Sequence, residues 1–250
     1  FTDVDMSGVN FTAATLKNAR LDGVLFEGAN LNEADLTLTS LKGAQLSRVT
    51  AQKSKLNQTI LNDAILNEID LSWAHGVDVD LSQSDMHSVK LKGSTWHTSN
   101  LSQLDLSNTD LSQVTFTQVN ANGVNLNGAI ISDASWNDVD LSNARFEESK
   151  FSDLRLLNTN LVGAILNKAH LENVQFEGGS LAKVIAKESH WDHVSLVEMS
   201  APELSLEGAT WQHVNARVAD LARSRFNLAT LDQVILTRTR LTEAELPGLN

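Results

Sequence analysis

The chain has no cysteine, no tyrosine and only two prolines, Pro202 and Pro247. Lack of cysteine excludes disulfide frameworks, thiolate metal sites and cysteine nucleophiles together, and it fits a reducing compartment. There is no run of about 18 apolar residues for a membrane span, and the N-terminal stretch lacks the basic-then-apolar order of a signal peptide. Basic residues are the minority: 19 Lys and Arg against 31 Asp and Glu leave a net charge of −12. Such a surface repels phosphate backbones, so direct nucleic-acid binding is not expected and a protein partner is. A cytoplasmic location is the expectation, with secretion as part of a larger protein left open. The first residue is Phe1 and not Met, so a fragment or a processed product is expected.

What is present is a hydrophobic content of 42% over 250 residues, enough for a substantial core. Its arrangement is the chief signal. In "DLSNTDLSQVTFTQVN" the apolar residues Leu106, Leu111 and Phe116 fall five apart, and the same phase runs from Phe1 to Leu246 without an insertion. All fifty positions of this column are Leu, Phe, Met, Ile, Trp or Ala except Gly76. Two residues before each lies a second column, mostly Ala, Val, Ser or Thr.

A helix turns 100° per residue, so a five-residue step cannot keep one apolar stripe. In an extended chain residues two apart share a face, so the small residue and the large one after it both point inward. The next small residue lies an odd number of positions further on and would point outward from a straight strand, so the chain must bend there. Each pentapeptide is therefore a short extended side followed by a corner. The Asn, Asp, Ser and Gly outside the inward columns suit such corners. Like residues recur at twenty, as in Trp96, Phe116 and Trp136, in Trp191 and Trp211, and in Ile165 and Ile185. This favours four sides per coil, although fifteen or twenty-five residues would also keep the phase.

The stretches "ANLNEADL", "TNLVGAIL", "ARLDGVLF" and "VNLNGAII" resemble the A(D/N)LXX signature of pentapeptide repeat proteins. The resemblance covers residues 1–250 and implies an all-β fold, a right-handed quadrilateral β-helix of about 12 coils forming one rod-shaped domain, on the order of 60 Å long. No capping helix is visible at either end. The expectation is that the natural protein continues, or that rods associate end to end or side by side.

The main departure is "LSWAHGVDVDLSQSD", where Gly76 replaces the large inward residue and Trp73 takes an outward position. The simplest expectation is that Trp73 covers the gap left by Gly76, with a binding role for exposed Trp73 as the alternative. Asp78, Asp80 and Asp85 lack the glycine and the final glutamate of an EF-hand loop. His170, His190, His193 and His213, with Glu172 and Asp192 among them, fall on one expected side. Although His193 and His213 would stack closely enough to share a metal, repetition alone stacks polar residues, and no metal or cofactor is expected. Outward apolar residues Leu157, Val162, Ile165, Ile185 and Val197 are expected to form one contact patch. No phosphate loop, nucleophile elbow or zinc-protease motif occurs, so an enzyme is not expected.

Between Asp78 and Asp140 lie eight acidic residues, Asp78, Asp80, Asp85, Asp105, Asp110, Asp133, Asp138 and Asp140, against Lys90 and Lys92. An acidic rod could attract a DNA-binding protein. The resemblance makes this concrete, since some family members are similar to DNA in shape and charge and bind DNA gyrase, protecting it from quinolones or toxins. This chain departs from them in having no projecting loop, no C-terminal dimerisation helix and a lower charge density than a duplex. The leading expectation is a non-catalytic protein-interaction or scaffold module, bacterial by its resemblance, with the gyrase-binding DNA mimic as the alternative.

Overall fold

The computed structural model describes residues 4–249. Phe1, the first member of the large column, lies outside them. The segment Asp140–Arg145 shows why the chain coils as it does. Leu141 N–H donates to Asn160 O of the next coil at 2.8 Å, and Asn143 N–H to Val162 O at 3.0 Å. Arg145 N–H reaches Val124 O of the preceding coil at 2.9 Å, and Ala144 N–H closes the corner onto Leu141 O at 3.0 Å. Ser142 N–H, pointing along the chain and not between coils, donates to the Asp140 carboxylate at 3.0 Å. Every backbone donor of the repeat thus has a partner. Where an Asn or Asp precedes the large residue it belongs to this set, because its short side chain reaches the amide two places on.

The pairing step is twenty residues, all parallel, from Asp5↔Leu25 to Arg225↔Glu245. Four pentapeptides make one coil. The sides are named here by their large residues: side I holds Leu21 and Leu41, side II Phe26 and Leu46, side III Leu31 and Leu71, and side IV Leu36 and Leu56. The residue two places after the large one turns each corner with a left-handed backbone, from Gly8 to Gly248. Even Leu38, Trp73 and Val218 adopt it, with φ of 60°, 62° and 62°. For a residue with a Cβ this costs about 1–2 kcal/mol, offset by the ladder bonds it permits.

Ten short strands rise above this background: β1 His75–Val77, β2 Thr95–His97, β3 Thr115–Thr117, β4 Ile130–Ser132, β5 Ser135–Asn137, β6 Lys150–Leu157, β7 His170–Glu177, β8 His190–Asp192, β9 Thr210–Gln212 and β10 Thr230–Asp232. They run in the order β1-β2-β3-β5-β6-β7-β8-β9-β10, with β4 also paired to β6, on sides III and IV. These strands span about eight turns, fewer than the 12 coils expected. Beyond them the same twenty-residue step continues as single bridges, because a hydrogen-bonded turn at both ends of a side leaves one residue extended. All four interior tryptophans, Trp96, Trp136, Trp191 and Trp211, sit at strand centres, where the following corner is a bend and not a closed turn. A wide indole and an open corner go together.

The interior is one apolar column, continuous from Leu21 to Ala229. Phe116 packs tilted against Trp136 at 5.2 Å between ring centroids, and Trp191 against Trp211 at 5.6 Å. Two of the indoles have polar partners: Trp96 Nε1–H donates to Ser94 Oγ and Trp191 Nε1–H to Ser189 Oγ, each at 2.8 Å. Trp136 and Trp211 have Ala134 and Ala209 in that place, and their Nε1 atoms are buried without a partner. Ala209→Ser is therefore expected to stabilise the protein by about 1 kcal/mol, because the new hydroxyl accepts the indole proton as Ser189 does for Trp191. A urea midpoint equal to or below wild type would refute this.

The expected relation between Trp73 and Gly76 is corrected here. The space at Gly76 is taken by Trp96 of the next coil and by Val79, which would lie 2.7 Å and 2.9 Å from a Cβ at that position. Trp73 covers Gly93 instead, where an added Cβ would meet its ring at 2.3 Å. Both belong to the left-handed corner column, so a bulky corner in one coil is matched by glycine in the next.

Candidate functional site

Among the described residues the interior is filled by its own side chains, so chemistry and recognition must lie on the outside. The eight aspartates of the acidic zone do not line one strip. Asp80 and Asp140 lie on side I, Asp85 and Asp105 on side II and Asp110 on side III. Asp133 turns the corner after side III, and Asp78 and Asp138 the corner after side IV. Much of their charge serves the backbone: Asp80, Asp105, Asp110 and Asp140 accept the amides of Ser82, Ser107, Ser112 and Ser142 at 2.9–3.0 Å. Asp78 accepts from Thr98 and Asp138 from Asn158. His87 sits between Asp85 and Asp105, at 3.3 Å and 3.8 Å.

These caps make stability depend on acid. The Asp35 carboxyl is held below its ordinary range by the Thr37 hydroxyl and amide. At Asp105 burial pushes the carboxyl up, but the Ser107 amide and hydroxyl, His87 and Asn125 outweigh it and the group is lowered. A lowered carboxyl binds its proton less readily folded than unfolded, so its contribution is complete above the unfolded value of about 4 and is lost as pH falls through the lower folded value. The urea midpoint is expected to drop between about pH 5 and pH 3. Asp35→Asn with Asp105→Asn should reduce the drop, because an amide oxygen still caps the turn and does not titrate. An equal drop in both proteins would show that these caps are not the source.

The expected apolar patch is divided by the coil. Ile165 and Ile185 pair across adjacent coils of side II, as their spacing implied. Val162, however, lies on side I, and Leu157 and Val197 on side IV, because each corner turns the chain onto a new side. Ile185 is exposed; Leu157, Val162, Ile165 and Val197 are half-buried. Leu157 pairs with Glu177, which holds Arg155 by two hydrogen bonds at 2.8 Å and 3.0 Å. Trp73 is 51% exposed at the corner after side III and lies more than four coils from any of these.

Periodicity alone did not show that a groove of about 720 Å³ runs on from Ile185 along the corner between sides I and II. Its floor is Ile185 and Ser205, where a small residue follows a large one in the column. Ser205 Oγ is buried there without a hydrogen-bond partner. Lys183, Lys187, Arg223 and Arg225 face Glu203, Glu243 and Glu245 along its rim, and Arg223 pairs with Glu203 at 3.1 Å. The only sequence signal was the change from Ile to Ser at one coil's distance.

On side III the histidines stack as the twenty-residue spacing implied. His170 lies over His190 at 4.8 Å between ring centroids, and His193 over His213 at 4.3 Å. Asp192, at the end of β8, lies 2.8 Å from His193 Nδ1 and 2.9 Å from His213 Nδ1 through the same carboxylate oxygen. The His213 hydrogen bond, opposed by burial and aided by His193, holds the Asp192 carboxyl low. Among the described residues this is the one group of three or more His, Asp or Glu whose ligand atoms could hold a metal ion, so Asp78, Asp80 and Asp85 form no such group. No described helix is long and apolar enough to cross a membrane.

No curated protein sequence matches the chain. Among solved structures it is similar to HetL, a pentapeptide repeat protein involved in heterocyst differentiation regulation from the cyanobacterium Nostoc sp. strain PCC 7120, with 22% identity, 98% of this chain and 90% of that one covered, and a TM-score of 0.40. It is similar to a trypsin-treated form of QnrB1, a plasmid-mediated fluoroquinolone resistance protein, with 17% identity, 70% and 88% covered, and a TM-score of 0.44. Rfr23, a pentapeptide repeat protein from the cyanobacterium Cyanothece 51142, matches with 19% identity, 58% and 87% covered, and a TM-score of 0.20. The family model for pentapeptide repeats (8 copies) matches residues 1–28, 26–63, 61–93 and 99–133, and that for a pentapeptide repeat region matches residues 129–206. With most of its length matched by these models and a four-sided coil of five-residue sides running through its described residues, the chain belongs to the pentapeptide repeat family.

Proposed function

We propose that the protein is a non-catalytic protein-interaction module whose contact surface is side II around Ile165 and Ile185 and the groove that continues from them. The carrying observation is that two isoleucines pair in adjacent coils and the second, Ile185, lines a groove with an apolar and hydroxyl floor and a rim of both charge signs. An apolar centre within a polar, charged rim is the anatomy of a protein contact. The regular ladder holds these residues in fixed register, so little ordering is needed on binding.

Ile165→Asp combined with Ile185→Asp tests this directly. Both residues point outward, so the coil should remain folded, and a partner captured by the wild-type protein should no longer be retained. Retention of that partner at wild-type level would remove this surface from the reading. The DNA-mimic reading has less support, since its aspartates are divided among three sides and two corners and several are engaged in turn caps. A supercoiling assay with purified gyrase separates the two, with no effect expected at micromolar protein.

A further inference from the structure

The twenty-residue period accounts for His193 stacking on His213, but it does not require a carboxylate aimed at both. Asp192 Oδ1 is within 2.9 Å of the two Nδ1 atoms, and the ligand atoms of the three residues lie within 4.8 Å of one another. A cavity of about 240 Å³ opens beside the two histidines, lined further by Asn173, Gln175, Val194, Ser195 and Asn215, and leaves room there for water. We infer that Asp192, His193 and His213 form a binding site for a divalent transition-metal cation of the zinc class, held by two imidazole nitrogens and one carboxylate oxygen, with water in the remaining positions.

Two features of the chemistry select this class of ion. Imidazole suits zinc, copper, nickel and cobalt, whereas magnesium and calcium require oxygen ligands almost throughout. Zinc takes such donors at about 2.0–2.2 Å, which places tetrahedral ligand atoms about 3.3–3.5 Å apart. The three side chains are close enough to reach that spacing by small rotations, and they have room to do so, His193 being more than half exposed. A cation between them replaces the two hydrogen bonds that compete for one oxygen. The proton on each neutral imidazole then resides on Nε2 and Nδ1 binds the ion, with no net proton released. A protonated histidine must first lose one, so affinity falls as the solution is acidified. The neighbouring His170–His190 stack supplies a control within the same molecule, since no carboxylate groups with it in this way.

The test is calorimetric titration of zinc chloride into the untagged chain, checked by competition with a chromophoric chelator. One zinc ion per chain with micromolar affinity is expected, and magnesium chloride should give no saturable heat. His213→Asn and Asp192→Asn should each weaken zinc binding at least tenfold, while His170→Asn with His190→Asn leaves it unchanged. Asparagine is chosen for His213 because it tolerates the left-handed backbone there, φ 52°, and circular dichroism confirms that the variants fold. Nitrogen-15 imidazole spectra should show both His193 and His213 as Nε2–H tautomers once zinc is bound. Absence of saturable zinc binding, or binding unaltered in both His213→Asn and Asp192→Asn, overturns the site. Loss of binding in the His170 and His190 variant overturns its assignment to these three residues.

Discussion

Gly76→Leu is expected to destabilise the protein by about 3 kcal/mol, although it restores the commonest residue of the large column. A Cβ at Gly76 would lie 2.7 Å and 2.8 Å from two ring atoms of Trp96 and 2.9 Å from Val79 Cγ2, all inside the tube. The indole already fills the volume a leucine would claim. Trp96→Leu alone should also destabilise, by about 2–4 kcal/mol, since it leaves a cavity under Gly76 and frees Ser94 Oγ from its indole donor. The double variant is the decisive protein. Leucines in successive coils of this side already pack together, as Leu36 and Leu56 do, so its loss of stability should be smaller than the sum of the two single losses by about 2 kcal/mol. Urea unfolding of the four proteins measures this coupling. Additive losses would mean that Gly76 and Trp96 do not share one volume.

The second large effect is expected at Gly179, in the small column where most other repeats place Ala, Val, Ser or Thr. A Cβ there would lie 2.1 Å from Thr159 O and 2.7 Å from Thr159 C and N, which are backbone atoms of the coil beneath. The obstacle is backbone and cannot swing aside, and the φ of +80° adds strain for any side chain. Gly179→Ala should therefore cost about 3 kcal/mol or more and raise hydrogen exchange at Ser180 N–H, which donates to Thr159 O at 3.2 Å. Gly208→Ala serves as the contrast. It too has a left-handed backbone, φ +67°, but an added Cβ meets only Glu188 Cγ at 3.6 Å. A cost of about 1 kcal/mol is expected there. Similar midpoints for the two variants would show that φ, and not the approach of the coils, sets the penalty at Gly179.

Both predictions concern places where the five-residue rule is broken, and they show how far that rule reaches. The unbroken phase gave the inward columns, the corners and the stacking of Ile165 on Ile185 and of His193 on His213. It misplaced Trp73, because matching a bulky corner to Gly93 depends on which residues meet across coils. It also joined Leu157, Val162 and Val197 to Ile165 and Ile185, since nearness along the chain was read as nearness on the surface. The carboxylate shared by two histidines and the groove beyond Ile185 depend on side-chain direction, which periodicity does not carry.

By itself, then, the sequence determined the backbone path: an odd repeat in a chain whose side chains alternate must turn a corner at every unit, and short polar residues supply the bonds those corners need. Only the tertiary structure decided how neighbouring coils share space. That sharing depends on the volumes and rotamers of residues twenty positions apart, and it settles which tryptophan fills which glycine, which acids serve as turn caps, and where two imidazoles find one carboxylate.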